Sequence, residues 1–125
     1  MVFLDTNSLI RFFTNDIPIQ AQKVKKIFDT EKVIIIPEVV FPEIEYVLTQ
    51  GYKVDRNKLI ELFNFLISQK NVKTSVFIKK AVKIFEQTNL DIADCIIIAH
   101  SQKGWLASFD KKMLGVTGVN AYWEK

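Results

Sequence analysis

Two apolar runs, Val2-Phe3-Leu4 and Val33-Ile34-Ile35-Ile36, constrain this chain more than any other feature. Each is too short for a helix, rich in β-branched or aromatic residues, and stopped by a charge or a proline. Such runs predict strands buried on both faces, as in a parallel sheet. Between and after them the apolar residues recur at helical spacing. This predicts helices over Ser8–Phe13, Ile19–Thr30, Glu38–Gln50, Asp55–Gln69, Val76–Gln87 and Asp91–Lys103, with Asp55 as a cap. Pro42 fits the third only in its first turn, where a missing N–H costs nothing. Trp105–Phe109 predicts a further strand and Val119–Trp123 another. Strands alternating with helices give an α/β fold: a three-layer α/β/α sandwich around a short, mostly parallel sheet. The 125 residues fit one domain over 1–125, and 49% hydrophobic content can fill a core.

Composition narrows the partners and the compartment. No apolar stretch is long enough to span a bilayer, and MVFLD meets a charge too early for a secretory leader. A single cysteine, Cys95, excludes an internal disulfide and suits a reducing cytoplasm. One His and one Cys cannot make a structural zinc site.

Four acids sit at the end or in the middle of apolar runs: Asp5 after VFL, Glu43 in VVFPEIEYVL, Asp94 in LDIADCIII and Asp110 after WLASF. A carboxylate among core-forming residues is costly unless a positive charge meets it. Setting these four aside leaves ten acids of the 14 against 17 Lys and Arg, a surplus of seven. A basic surface around an acidic pocket suits a phosphate backbone drawn to a metal, and on charge alone lysines that simply keep a very apolar domain soluble account for it equally.

Each acid also has a plain structural role available. Asp5 can cap the first helix; Thr6 and Asn7 can do so equally, which would free Asp5, with Thr6, Asn7 and Ser8 orienting carboxylate or water. Glu43 and Glu45 lie about 200° apart around a helix, so only one can face a site. Glu43, with Val39, Val40, Tyr46 and Val47 as helical neighbours, is the better candidate. Asp91 reads as an N-cap with Asp94 in the same first turn. Asp94 precedes Cys95-Ile96-Ile97-Ile98-Ala99, a run expected to be almost wholly buried, and so reads as a site residue. Asp91 supports it. Asp110 is a turn former or a ligand, with Ser108 two residues earlier on its strand face. Gathered together, four or five carboxylates repel one another unless a cation holds them ionised. Oxygen-only ligands favour Mg²⁺ or Mn²⁺, the apparatus for attack of water on a phosphodiester.

The pattern resembles the PIN domain, and within it the VapC toxins of prokaryotic toxin–antitoxin pairs. The resemblance runs through Val2-Phe3-Leu4-Asp5-Thr6-Asn7, Pro37 to Leu48 with Glu43, Leu90-Asp91-Ile92-Ala93-Asp94 and Ala107-Ser108-Phe109-Asp110-Lys111. It implies metal-binding acids at Asp5, Glu43, Asp94 and Asp110, with Asp91 contributing and Asn7 and Ser108 in polar supporting positions. It further implies a Mg²⁺-dependent endoribonuclease leaving 5′-phosphate ends, and a homodimer silenced by a cognate antitoxin.

Rival features carry less. Leu59–Ile67 holds seven apolar residues in nine, which suggests either a helix buried on two sides or, slightly favoured, a partner surface. His100 and Ser101 are adjacent on a helix and point apart, so no nucleophile–base pair follows. A haloacid-dehalogenase-like phosphatase would want a second Asp where Asn7 stands. A PIN-fold module that grips RNA or a partner without cutting is the non-enzymatic alternative.

Overall fold

The computed structural model describes residues 1–123. It is α/β, with one parallel sheet of three short strands and, among the described residues, seven helices. The chain divides into two compact units, Met1–Ser75 and Val76–Lys125.

The first unit runs β1 (Val2–Phe3), α1 (Thr6–Thr14), α2 (Pro18–Thr30), β2 (Ile34–Ile35), α3 (Val40–Gly51), α4 (Arg56–Ser68) and β3 (Val72–Lys73). The sheet order is β1-β2-β3, with Val2 opposite Ile34 and Ile34 opposite Val72. Leu4, Ile34, Ile36 and Val72 are buried, but Phe3 of β1 is 64% exposed, so β1 is not buried on both faces as expected. Helix boundaries follow local chemistry. Asp5 caps α1, and Asn15 ends it in the left-handed region at φ 52°. Pro18 opens α2 at a position where no N–H is missed. Pro42 does fall in the first turn of α3. Asp55 caps α4 by accepting the Lys58 amide at 2.9 Å. Helix α1 packs on α2 and α3, and α4 lies against β3.

Strand β3 has no counterpart among the strands expected from sequence. Its one apolar residue, Val72, has no periodicity around it. It is held from outside, because the Asn71 side chain donates to the Phe28 and Glu31 carbonyls at 3.0 and 2.9 Å, and the Ile34 amide then reaches the Asn71 carbonyl.

The Leu59–Ile67 stripe is buried at three of its seven apolar residues. Leu59, Phe63 and Leu66 are fully buried, and Phe65, though 37% exposed, packs with Phe12 and Phe28 in an aromatic cluster.

The second unit contains α5 (Val76–Gln87), α6 (Ile92–Ser101) and α7 (Lys111–Leu114). Helix α5 packs against α6 through Ile78, Ala81 and Phe85 on one and Cys95, Ile98 and Ala99 on the other, all buried. Two expectations fail in this unit. Trp105–Phe109 and Val119–Trp123 are not full strands; they meet in one parallel bridge, Leu106 to Ala121. The Asp110 amide turns back to the Ser108 hydroxyl at 3.0 Å, which bends the first segment before a ladder can form. The run after Asp94 is almost wholly buried, as expected: Cys95, Ile96, Ile98 and Ala99 are buried and Ile97 is 49% exposed.

Candidate active site

Asp5 follows the buried Leu4 directly and sits in extended backbone, φ −91° and ψ 174°, at the N-cap of α1. Its Oδ1 accepts the Ser8 amide at 2.8 Å. The Ser8 amide, and next the Ser8 hydroxyl, hold the Asp5 carboxyl below its ordinary range. Asp5 is thus the cap itself, and Thr6 does other work: its hydroxyl donates to Glu43 Oε1. Glu43 lies exposed in the first turn of α3, one turn from Tyr46 and Val47. Asp5, Thr6, Asn7 and Glu43 line one open cleft of about 600 Å³, walled by Pro42, Tyr46 and Val47. Glu45 is not part of this lining, so the preference for Glu43 on helical geometry matches the cleft. The two candidate carboxylates of this unit, Asp5 and Glu43, therefore share one recess.

In the second unit Asp91 caps α6, accepting the Asp94 amide on Oδ1 at 2.9 Å. Asp94 is half-buried, and its carboxyl is pushed above the ordinary range. Desolvation is the largest cause; the negative charges of Asp91 and then Asp110 add to it, with the Asp91 side-chain hydrogen bond last. Asp110 caps α7, its Oδ1 accepting the amides of Lys112 at 2.9 Å and Met113 at 3.3 Å. Ser108 supports Asp110 through its backbone amide rather than its carboxylate.

The acids are not buried charges, contrary to what their apolar neighbours in sequence suggest. No charged or polar residue is buried among the described residues, and Asp5, Glu43, Asp91 and Asp110 are all exposed. Each run turns only part of its apolar residues inward, among them Leu4, Phe41, Cys95 and Leu106, while Asp5, Glu43, Asp91 and Asp110 face out. Among the described residues no group of three or more His, Cys, Asp or Glu side chains is spaced to hold a metal ion as it stands.

The donor set nonetheless suits a hard divalent cation. Every candidate ligand is a carboxylate, and burial first, then the charges of Asp91 and Asp110, press Asp94 toward its protonated form, which a cation would oppose. The alternative nucleophiles are otherwise engaged. Cys95 is buried, His100 stacks on Phe77 with ring centroids 3.8 Å apart, and the Ser101 hydroxyl donates to the Ile98 carbonyl at 2.9 Å. Sequence reasoning missed Tyr46 and Val47 as cleft walls, although their helical spacing from Glu43 carried the signal.

The sheet is parallel, and Asp5, Asp91 and Asp110 each stand at a helix N-terminus. The PIN domain family profile matches residues 2–118, and the chain belongs to that family. It is also similar to the VapC ribonuclease of Aquifex aeolicus (strain VF5), 28% identical over 136 aligned positions covering 99% of this chain and 99% of that protein. No solved structure matches it.

Proposed function

We propose that the protein is a Mg²⁺- or Mn²⁺-dependent endoribonuclease, the toxin of a toxin–antitoxin pair, acting in the cytoplasm. Family membership and the similarity to a VapC ribonuclease support a nuclease. What supports the metal is an all-carboxylate donor set in which Asp91 caps the very turn that carries Asp94, its Oδ1 accepting the Asp94 amide at 2.9 Å.

On this reading Asp5, Glu43, Asp94 and Asp110 hold one or two cations, with Asp91 contributing. A divalent cation there supplies Lewis acidity toward a phosphate oxygen and toward water. The chain's own residues do the positioning. Ser8 holds the Asp5 carboxylate ionised and the Thr6 hydroxyl fixes the rotamer of Glu43. The amides of Lys112 and Met113 fix Asp110. No side chain serves as nucleophile. A homodimer and a cognate antitoxin complete the proposal, with exposed Tyr46 and Val39 beside Glu43 offering apolar contacts to an inhibitory segment.

The test is cleavage of single-stranded RNA with Mg²⁺, Mn²⁺ or EDTA, by the native chain and by Asp94→Asn. Cleavage should need the metal and vanish in the variant. Metal-independent cleavage, or undiminished cleavage by Asp94→Asn, would remove the metal site from the proposal. RNA binding with no cleavage under any metal would favour the non-catalytic module.

A further inference from the structure

The second unit carries an exposed aromatic stack directly before one of its acids. Phe109 is 87% exposed, yet its ring lies on that of Trp123 with centroids 4.7 Å apart and 7° between the planes. Tyr122 meets Trp123 edge-on at 5.5 Å. The backbone holds this arrangement: the Leu106 amide donates to the Asn120 carbonyl at 2.7 Å, and the Tyr122 amide donates to the Leu106 carbonyl at 2.9 Å. Leu106 is buried and anchors the pair of segments, while Trp105 beside it is exposed. A single exposed ring needs no explanation. Two rings stacked in parallel in water, with the outer face of Phe109 open, form a flat apolar platform.

The chain that follows Phe109 points to the partner of the platform. The chain passes from Phe109 through Asp110 straight into Lys111 and Lys112. These two, with Lys80 and Lys83, line an open cleft of about 760 Å³ that has no acid in its lining and adds Gln87 and Gln102 as donors. An aromatic surface followed by a basic groove is the arrangement that binds single-stranded nucleic acid: bases stack, and lysines follow the phosphates. A protein-docking face would be expected to carry aliphatic residues around the rings rather than lysines.

We propose that Phe109 and Trp123 form a base-stacking platform for single-stranded RNA, whose backbone continues along the cleft of Lys80, Lys83, Lys111 and Lys112. This rests on the nuclease reading for the choice of RNA and deepens it: the substrate is unpaired, and a base is gripped beside Asp110. A duplex keeps its bases stacked on each other and has none to offer.

The test uses the full chain in EDTA, where RNA stays intact, with a short fluorescein-labelled single-stranded RNA and the same sequence as a duplex. Phe109→Ala should weaken single-strand binding about tenfold to a hundredfold, and Phe109→Trp should restore it. An unchanged melting temperature for Phe109→Ala is expected from so exposed a ring. Lys80→Ala with Lys83→Ala should flatten the salt dependence of binding by about 0.7 in log–log slope for each phosphate no longer neutralised. Equal binding of strand and duplex, or native affinity in Phe109→Ala, would overturn the platform. So would a change of oligomeric state in Phe109→Ala with RNA affinity unaltered, which would mark a protein interface. Native binding through Phe109 with no cleavage under Mg²⁺ or Mn²⁺ would keep the platform and defeat the nuclease reading. Undiminished cleavage by Phe109→Ala would do the reverse.

Discussion

Asp5 has two jobs on the present reading, and a pair of substitutions separates them. As N-cap of α1 it accepts the Ser8 amide at 2.8 Å. As a metal ligand it supplies negative charge. Asparagine caps a helix about as well as aspartate but carries no charge, whereas alanine does neither. Losing a cap costs roughly 1 kcal/mol, within about 0.5–2. Unfolding entropy of about 2.1 cal/mol/K per residue over 125 residues gives about 0.26 kcal/mol/K, so that loss lowers Tm by about 4 °C. In EDTA, thermal melts followed by circular dichroism should place Asp5→Ala about 4 °C below the native chain. Asp5→Asn should fall much less, by the small charge–dipole contribution alone, since Asp5 is exposed and that contribution is screened. RNA cleavage should vanish in both. If Asp5→Asn melts as low as Asp5→Ala, the carboxylate stabilises by charge and the capping argument fails. If Asp5→Asn cleaves RNA at the native rate, Asp5 is a cap and nothing more.

Three further outcomes follow from the same geometry. Asp94→Asn should raise Tm in EDTA, because it removes a half-buried charge repelled by Asp91 and Asp110, and should abolish the stabilisation of the native chain by Mg²⁺; a lower Tm in EDTA would refute the crowding. Thr6→Val keeps the shape but removes the hydrogen bond to Glu43, and should lower kcat/KM by about tenfold or more with little change in Tm; steady-state cleavage rates decide it. Asp16 accepts the Tyr52 hydroxyl at 2.8 Å and the Thr14 hydroxyl at 2.8 Å and pairs with Arg11, and these in that order hold its carboxyl below the ordinary range. The stability it adds is therefore present above the unfolded-state pKa and is lost as pH falls through the folded one. Melts of Asp16→Asn should trail the native chain at neutral pH and converge with it in acid, and a gap that is constant with pH would contradict this.

The elements legible in the sequence are those with their own signals. Helix α5 has the expected bounds because Ile78, Ala81, Val82 and Phe85 keep helical spacing throughout. Asp55 announces α4 because a capping residue acts within three positions of itself. Strand β3 cannot be read from Val72-Lys73, since its pairing is imposed by β2 and by Asn71 holding the chain against Phe28 and Glu31. The opposite error, a strand expected over Trp105–Phe109, comes from reading β propensity without a partner long enough to pair with it. The candidate acids stand out because apolar neighbours flank them. Their exposure does not, for sequence shows which residues adjoin and not which way each points. The Phe109–Trp123 stack is invisible for the same reason: a bridge between Leu106 and Ala121, with no periodicity to announce it, brings the two rings together.

The capping geometry and the proposed chemistry are linked through charge. Asp5, Asp91 and Asp110 each accept backbone amides at a helix N-terminus, which fixes each carboxylate in place, and at Asp5 the Ser8 amide holds the carboxyl below its ordinary range. Asp94 has the opposite setting. It lies one turn in, half-buried, with Asp91 and Asp110 pressing its carboxyl toward the protonated form. Fixed anions around one reluctant anion make a group whose ionisation and metal binding assist each other, because a cation that offsets the repulsion also favours loss of the Asp94 proton. Metal affinity should then rise with pH more steeply than independent carboxylates would give, and Asp94→Asn, with no proton to lose, should flatten that dependence. A calorimetric Mg²⁺ titration across the acidic range that shows the same slope for both chains would mean that Asp94 does not feel the cation at all.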